Sequence, residues 1–402
     1  MDKVRFGIVG FGNMGTGHFK NFLDDKIENG IVTAICDVNP QKFDLFNEAN
    51  GEKVQAYEEK YGKLNYFENA EEMYKSGTCD VVIICVPHYQ HPELAILAMD
   101  CDLHCIVEKP AGVYTLQVKE MLKRHESSDK ILGIMFNQRT NPVFKKMREM
   151  ILSGQIGEIK RTNWIITNWY RSQYYYDSGD WRATWAGEGG GVLYNQAPHN
   201  LDLFQWIVGM MPTKVRAFCH FGKWHNIEVE DDVTCYCEYP NGATGVFITT
   251  TADAPGTNRF EVTGTKGTLI MDYNPEIKNP FNLYFKELEI DEREHCFTST
   301  GGFKAPVCKP TVKIEIDAPN PQHVGICNNI ANAILGLEEV YAPASDGICG
   351  VQLANAMLLS TWLDKEIEIP FDDEFFYEEL KKRIAISKPH EVSKQAKVEA
   401  QN

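Results

Sequence analysis

The chain has 402 residues, 43% of them hydrophobic and 24% charged, and a formal net charge of −16. That length exceeds a single compact core and suits two domains. The acidic balance excludes a nucleic-acid partner, which requires a basic face, and no apolar run is long enough to span a bilayer, so no membrane partner is expected either.

The first ten residues enter a strand pattern directly, without a secretory leader, and a cytoplasmic location is expected. Twelve cysteines are scattered along the chain, and Cys36, Cys85, Cys235 and Cys237 sit inside apolar strand patterns. They read as reduced core thiols. Cys101 with His104 and Cys105, and Cys235 with Cys237, lack the second Cys-x-x-Cys half of a zinc site, so no metal is expected.

In chain order, residues 4–9 read as a buried strand, followed at once by Gly10-Phe11-Gly12-Asn13-Met14-Gly15 and a helical segment from about Gly17. This is a dinucleotide fingerprint in its required context. Gly10 permits the tight turn, Gly12 lets a pyrophosphate approach, Gly15 lets helix and strand pack closely, and the helix N-terminus binds the anion. A second strand, 30–36, ends in Asp37, 22 positions after Gly15, where a carboxylate accepts hydrogen bonds from the adenine-side ribose. Asp37 repels a 2′-phosphate and Val38 follows it, which favours NAD over NADP.

Strand patterns at 79–86, 104–107 and 130–136 continue the alternation with helices and predict an α/β, doubly wound parallel sheet of the Rossmann kind. Pro87, His88, His91, Glu108 and Lys109 then fall at its ligand-binding edge. After Arg139 the pattern changes to a helix at 141–153, then to strands at 159–170, 214–221, 233–239, 244–251, 259–264 and 268–272. Asn241-Gly242 and Lys266-Gly267 mark hairpins, so the second half predicts an α+β domain with a large, mostly antiparallel sheet. A helix at 324–335 follows His323, an apolar helix at 347–362 packs back on the nucleotide domain, and the end after Ser387 reads as a solvated tail. The boundaries are 1–138 for the NAD-binding domain, 139–370 for the substrate and oligomerisation domain, and 371–402 for the terminal segment.

At Glu108-Lys109-Pro110 the sequence resembles the Gfo/Idh/MocA oxidoreductases, and the run from Gly189-Gly190-Gly191 to Asn195, His199 and Asp202 resembles the same family's approach to its catalytic helix. The resemblance covers about residues 1–370. It implies that Lys109 touches both the nicotinamide ribose and the reacting hydroxyl, where an ammonium favours alkoxide character. Asn195 and His199, four apart, would share a helix face. Many members carry aspartate at the first of these positions; an asparagine cannot act as a base, which leaves His199 as the proton acceptor. Asp202 either orients His199 or pairs with backbone. The resemblance also makes Arg182, Pro87 and His91 cofactor contacts, and implies homo-oligomers formed through the second sheet.

Residues 164–176 are rich in aromatic side chains, which suit the apolar faces of a pyranose, and Tyr170 and His323 are expected at the substrate. Together these features predict an NAD-dependent enzyme that reversibly oxidises a secondary hydroxyl of a sugar, glycoside or polyol, with C3 of a glucoside the first choice. Two rivals stand beside it: an NAD-dependent glycosidase working by transient oxidation and elimination, and a non-catalytic NAD- or sugar-binding regulator.

Overall fold

The computed structural model describes residues 3–277 and 279–390. The described residues form two compact units, one of residues 3–140 with 321–351, the other of residues 141–277 and 279–320 with 352–390. The C-terminal domain expected at 139–370 thus cedes 321–351 to the nucleotide unit. The reason is local: Ile326, Cys327, Ile330 and Ala331 bury in the same core as the first sheet.

In the first unit β1 (Val4–Val9), α1 (Asn13–Leu23), β2 (Gly30–Cys36), α2 (Gln41–Tyr61), β3 (Asn65–Phe67), α3 (Ala70–Lys75), β4 (Val81–Ile84), α4 (Gln90–Asp100), β5 (His104–Val107), α5 (Thr115–Glu126) and β6 (Leu132–Ile134) alternate. The sheet is parallel, in the order β3-β2-β1-β4-β5-β6. β4 is buried at every position, as a central strand covered on both faces must be. The order reverses between β1 and β4, the switch point at which open α/β sheets bind ligands.

The second unit opens with α6 (Pro142–Leu152), β7 (Ile159–Ile166), the short α7 (Gln173–Tyr176) and α8 (Pro198–Trp206). The strands β8 (Lys214–Phe221), β9 (Glu230–Glu238), β10 (Thr244–Thr250), β11 (Asn258–Gly264), β12 (Gly267–Tyr273) and β13 (Phe281–Glu287) come next, followed by α9 (Glu292–Thr298) and β14 (Val312–Ile314). The expected hairpins join β9 to β10 and β11 to β12. Every pairing in the sheet is antiparallel except β7 with β10. Trp164 on β7 is fully buried and stacks on Phe260, ring centroids 4.4 Å apart.

α10 (Gln322–Ile334) belongs to the first unit, and α11 (Ala344–Leu363) divides between the two at Val351. Beyond that point α11 serves the second sheet: the Ser360 and Thr361 hydroxyls accept from the backbone N–H groups of Ala217 and Cys219 on β8. The expectation that 347–362 packs on the nucleotide domain therefore holds only for its first turn. β15 (Ile367–Glu368) pairs with β8, α12 (Asp373–Ile384) buries Phe376 and Leu380, and the start of the expected tail is held rather than solvated, with His390 Nε2 2.7 Å from Asp177 Oδ1. Of the tail expected after Ser387, residues from 391 onward lie outside the described residues. Among the described residues no helix is long and apolar enough to cross a membrane. All twelve cysteines are free thiols; burial pushes Cys36 and Cys237 up to about 12, which keeps them protonated.

Candidate active site

The turn after β1 is shaped for an anion. Gly10 has φ +88°, and a Cβ there would stand 2.4 Å from the Cys85 carbonyl oxygen. A Cβ on Gly15 would fall 2.0 Å from the Gly10 carbonyl oxygen, so α1 lies this close to β1 for want of a side chain. At Gly12 a Cβ would meet nothing within 4 Å, which leaves the backbone open to approach. Gly12 caps α1 without a side-chain hydrogen bond, no acidic residue stands in the first turn, and Asn13 and Met14 are exposed. Free helix N–H groups of this kind bind pyrophosphate.

Asp37 is buried at the end of β2. Its Oδ2 accepts from Phe11 N at 2.7 Å and from Lys42 Nζ at 2.9 Å, and its Oδ1 accepts from Asn39 N at 2.9 Å. The carboxylate therefore ties the glycine turn to β2. Lys42 carries no signal in the fingerprint, which extends only to the residue after the acid, the exposed Val38. An open groove near the ends of β2 and β3 is lined by the apolar side chains of Pro40, Phe43, Tyr66 and Phe67 and by the polar ones of Glu68, Asn69 and Glu72. These features fit a dinucleotide.

Pro87 is exposed after β4, whereas His88 and His91 are buried. The two ring nitrogens of His91 lie 2.7 and 2.8 Å from the carbonyl oxygens of Pro110 and Val86. Burial lowers its pKa, against the pull of both carbonyls. His91 thus ties the loop after β4 to the loop after β5.

Glu108 follows β5 with its carboxylate buried inside the unit. Its Oε1 is 2.7 Å from His18 Nε2 on α1, and its Oε2 accepts from Lys109 N at 3.2 Å. Burial alone would raise the Glu108 pKa, but the hydrogen bond and charge of His18, with His323 and Lys109, bring it down to about 2. Burial likewise opposes an imidazolium at His18, yet hydrogen bonds with Cys327, Cys85 and Glu108 hold its pKa well above the ordinary value. His323 on α10 meets His18 edge-on, ring centroids 5.2 Å apart, so it sits in the nucleotide unit beside Glu108. Among the described residues His18, Cys85 and Glu108 form the one group of three metal-type donors within 4.8 Å of one another. The 2.7 Å imidazole–carboxylate contact is a hydrogen bond, closer than the roughly 3.3 Å between two ligands of one zinc ion.

In the second unit the shared helix face expected for Asn195 and His199 is corrected. α8 starts at Pro198, which puts His199 in the first turn and Asn195 in the turn before it, its N–H bonded to the Gly191 carbonyl at 3.0 Å. Proline suits a first helical position and disfavours helix in the residue before it. Asn195 and His199 are both partly exposed, while Asp202 is buried and accepts from Gln205 at 3.4 Å.

Asn195 Nδ2 donates to Glu188 Oε1. Glu188 is itself buried, and its Oε2 accepts from Ala183 N at 2.7 Å. Arg182 donates to the Tyr175 hydroxyl at 3.0 Å, stands 3.9 Å from Glu188, and lies over the rings of Trp181 and Tyr175. Of the aromatic segment, Trp164 and Tyr176 are core, whereas Tyr170 and Tyr174 are exposed. Glu230, buried at the start of β9, accepts from Gly191 N at 2.9 Å and Leu193 N at 3.0 Å. Glu188 and Glu230 escape a reading of motifs, though each left a trace: an acid abutting the glycine run, and an acid at a buried position opening a strand whose later residues alternate between buried and exposed.

Residues 4–136 match the model of the oxidoreductase family with an NAD-binding Rossmann fold, and residues 144–270 match that of the GFO/IDH/MocA C-terminal domain. The chain is 25% identical over 276 residues to myo-inositol 2-dehydrogenase of Thermotoga maritima, covering 67% of this chain and 75% of that protein. It is 25% identical over 255 residues to D-glucoside 3-dehydrogenase of Escherichia coli, covering 60% and 68%. Among solved structures, the WlbA dehydrogenase of Bordetella pertussis, in complex with NADH and UDP-GlcNAcA, matches with TM-score 0.70 and 25% identity over 92% of this chain and 100% of that one. With the glycine turn, Asp37 and the strand order described above, these matches make NAD the cofactor. The chain belongs to the Gfo/Idh/MocA family of NAD-binding oxidoreductases.

Proposed function

We propose that the protein reversibly oxidises a secondary hydroxyl of a sugar, glycoside or polyol, with C3 of a glucoside the preferred position. NAD, when bound, supplies the hydride acceptor. His199 takes the hydroxyl proton, a task suited to an imidazole with a ring nitrogen able to accept it. Lys109 holds the oxygen while negative charge develops on it. Asn195 positions the hydroxyl through its amide and takes no proton. Arg182, Pro87 and His91 support the cofactor, the last through its loop, and Tyr170 and His323 face the substrate.

The observation that supports this reading is the match of residues 4–136 to an NAD-binding oxidoreductase fold, with Lys109, whose backbone N–H donates to Glu108 Oε2, next after the residue that follows β5. The names of the inositol and glucoside dehydrogenases support a polyhydroxylated substrate, and the second of them favours C3. A second copy of the chain is proposed to cover the open face of the second sheet, where Ile165, Phe218 and Tyr236 are exposed. Incubating the protein with NAD⁺ and a panel of methyl glycosides, free sugars and inositols, while following NADH absorbance, tests the activity. Release of aglycone from an aryl glycoside without net NADH would favour the glycosidase instead.

A further inference from the structure

Two adjacent carboxyls outside the motifs, Glu230 and Asp231, are both fully buried where β9 begins. Consecutive strand residues project to opposite faces, so the two side chains serve different neighbours. Glu230 faces the glycine run. Its Oε1 takes the N–H groups of Gly191 and Leu193, and its own carbonyl takes Val192 N at 2.9 Å, so one residue holds three successive amides. A Cβ on Gly191 would lie 2.0 Å from that carbonyl oxygen, which explains the missing side chain. Glu230 Oε2 is buried without a partner, and burial, against the pull of the two amides, raises the carboxyl to about 8. The chain held in this way runs through Asn195 into the helix that bears His199.

Asp231 organises a different segment. Its carboxylate accepts from the backbone N–H groups of Lys223, Trp224 and His225 at 2.8 to 3.1 Å and contacts His225 Nδ1 at 3.0 Å. His225 passes this order on: its Nε2 lies 2.9 Å from the Arg171 carbonyl, and its ring meets that of Tyr176 at 4.9 Å. The Asp231 carbonyl also accepts from Thr251 N at 3.0 Å, and the Thr251 carbonyl accepts from Arg171 N at 2.8 Å. The aromatic segment around residues 171–176 thus hangs from Asp231 by two routes.

We infer that Glu230 and Asp231 are paired positioning residues, Glu230 setting the helix of His199 and Asp231, through His225, setting the aromatic segment that meets the substrate. Neither touches the reacting atoms. The inference rests on the functional reading above for its kinetic consequences but not for its structural ones.

Hydrogen exchange on the full-length chain separates the two. In Glu230→Ala, amides within 189–206 should lose protection while those within 170–177 keep it; Asp231→Ala should give the reverse; Glu230→Gln, which retains the acceptor oxygen, should resemble the parent. Should Glu230→Ala fail to fold, Glu230→Asp, with the carboxyl drawn back by one methylene, gives the same segment-resolved readout. With any glycoside or inositol found active in the panel, Glu230→Ala should lower kcat about 100-fold with little change in KM, as a misplaced base does. Asp231→Ala should raise KM about tenfold, the worth of a lost hydrogen-bonded contact. Loss of protection in both segments in each variant, or in neither, would overturn the division of labour. Correct exchange patterns in a protein that turns over nothing in the panel would leave the positioning intact and remove the functional reading instead.

Discussion

His18 Nε2 and Glu108 Oε1 stand 2.7 Å apart with both side chains almost wholly out of solvent. This pair joins α1, which follows the glycine turn, to the end of β5 beside Lys109, so the two segments share one buried charge contact.

The pair predicts a stability plateau. Glu108 is lowered from 4.5 to about 2, so its contribution is full above about pH 4.5 and is lost as pH falls through 2. The His18 pKa is raised, so its contribution is full below about 6.5 and is lost as pH rises through the raised value. Both contributions are complete between those limits. His18→Leu, which leaves the carboxylate buried alone, should cost about 3 to 5 kcal/mol in urea unfolding at pH 5.5. His18→Gln, which keeps a donor, should cost less.

Glu230 predicts the opposite slope. Its carboxyl is raised from 4.5 to about 8, so the folded state holds a proton that the unfolded chain releases in that interval. Its contribution therefore declines as pH rises from about 4.5 to 8. Glu230→Gln cannot ionise, and melting temperatures measured every half unit from pH 5 to 9 should decline less steeply for this variant than for the parent.

The amide of Asn195 donates to the buried Glu188. Asn195→Asp removes that donor and sets two carboxyls together, so one must take up a proton or both repel. The substitution should destabilise the protein by about 1 to 3 kcal/mol at pH 8 and by less at pH 5, as read from thermal melts at both values.

Asp37 binds the glycine turn through Phe11 N and is faced by Lys42. Asp37→Ala should weaken NADH binding about tenfold or more in a fluorescence titration, through the lost ribose contact and the loosened turn together. Lys42→Ala, which leaves the carboxylate without its cation, should sharpen the preference for NADH over NADPH.

Much of the fold was legible because its signals are local. The buried run of β4, the glycine fingerprint and the turn at Asn241-Gly242 each combine a period with a punctuating residue, and each appears where expected. β3 did not announce itself, since Asn65-Tyr66-Phe67 is short and largely exposed at the sheet edge. The return of 321–351 to the first unit is a long-range event, set by core packing that no window of sequence displays. The site divides in the same way. Lys109 and His199 stood out through their motifs, whereas His18, Glu188 and Glu230 act through contacts with residues distant in sequence or with backbone amides. Composition gives no trace of such partners.

His199 and Lys109 are proposed to serve NAD-dependent oxidation of a sugar-type hydroxyl. Initial rates of NADH formation across the glycoside, sugar and inositol panel, for the parent, His199→Asn and Lys109→Met, address it most directly. The parent should turn over at least one compound, with His199→Asn slower by about 10² to 10⁴ while still binding NADH, the usual contribution of a general base. An inert parent, or a His199→Asn variant that turns over at the parental rate, would contradict the proposal.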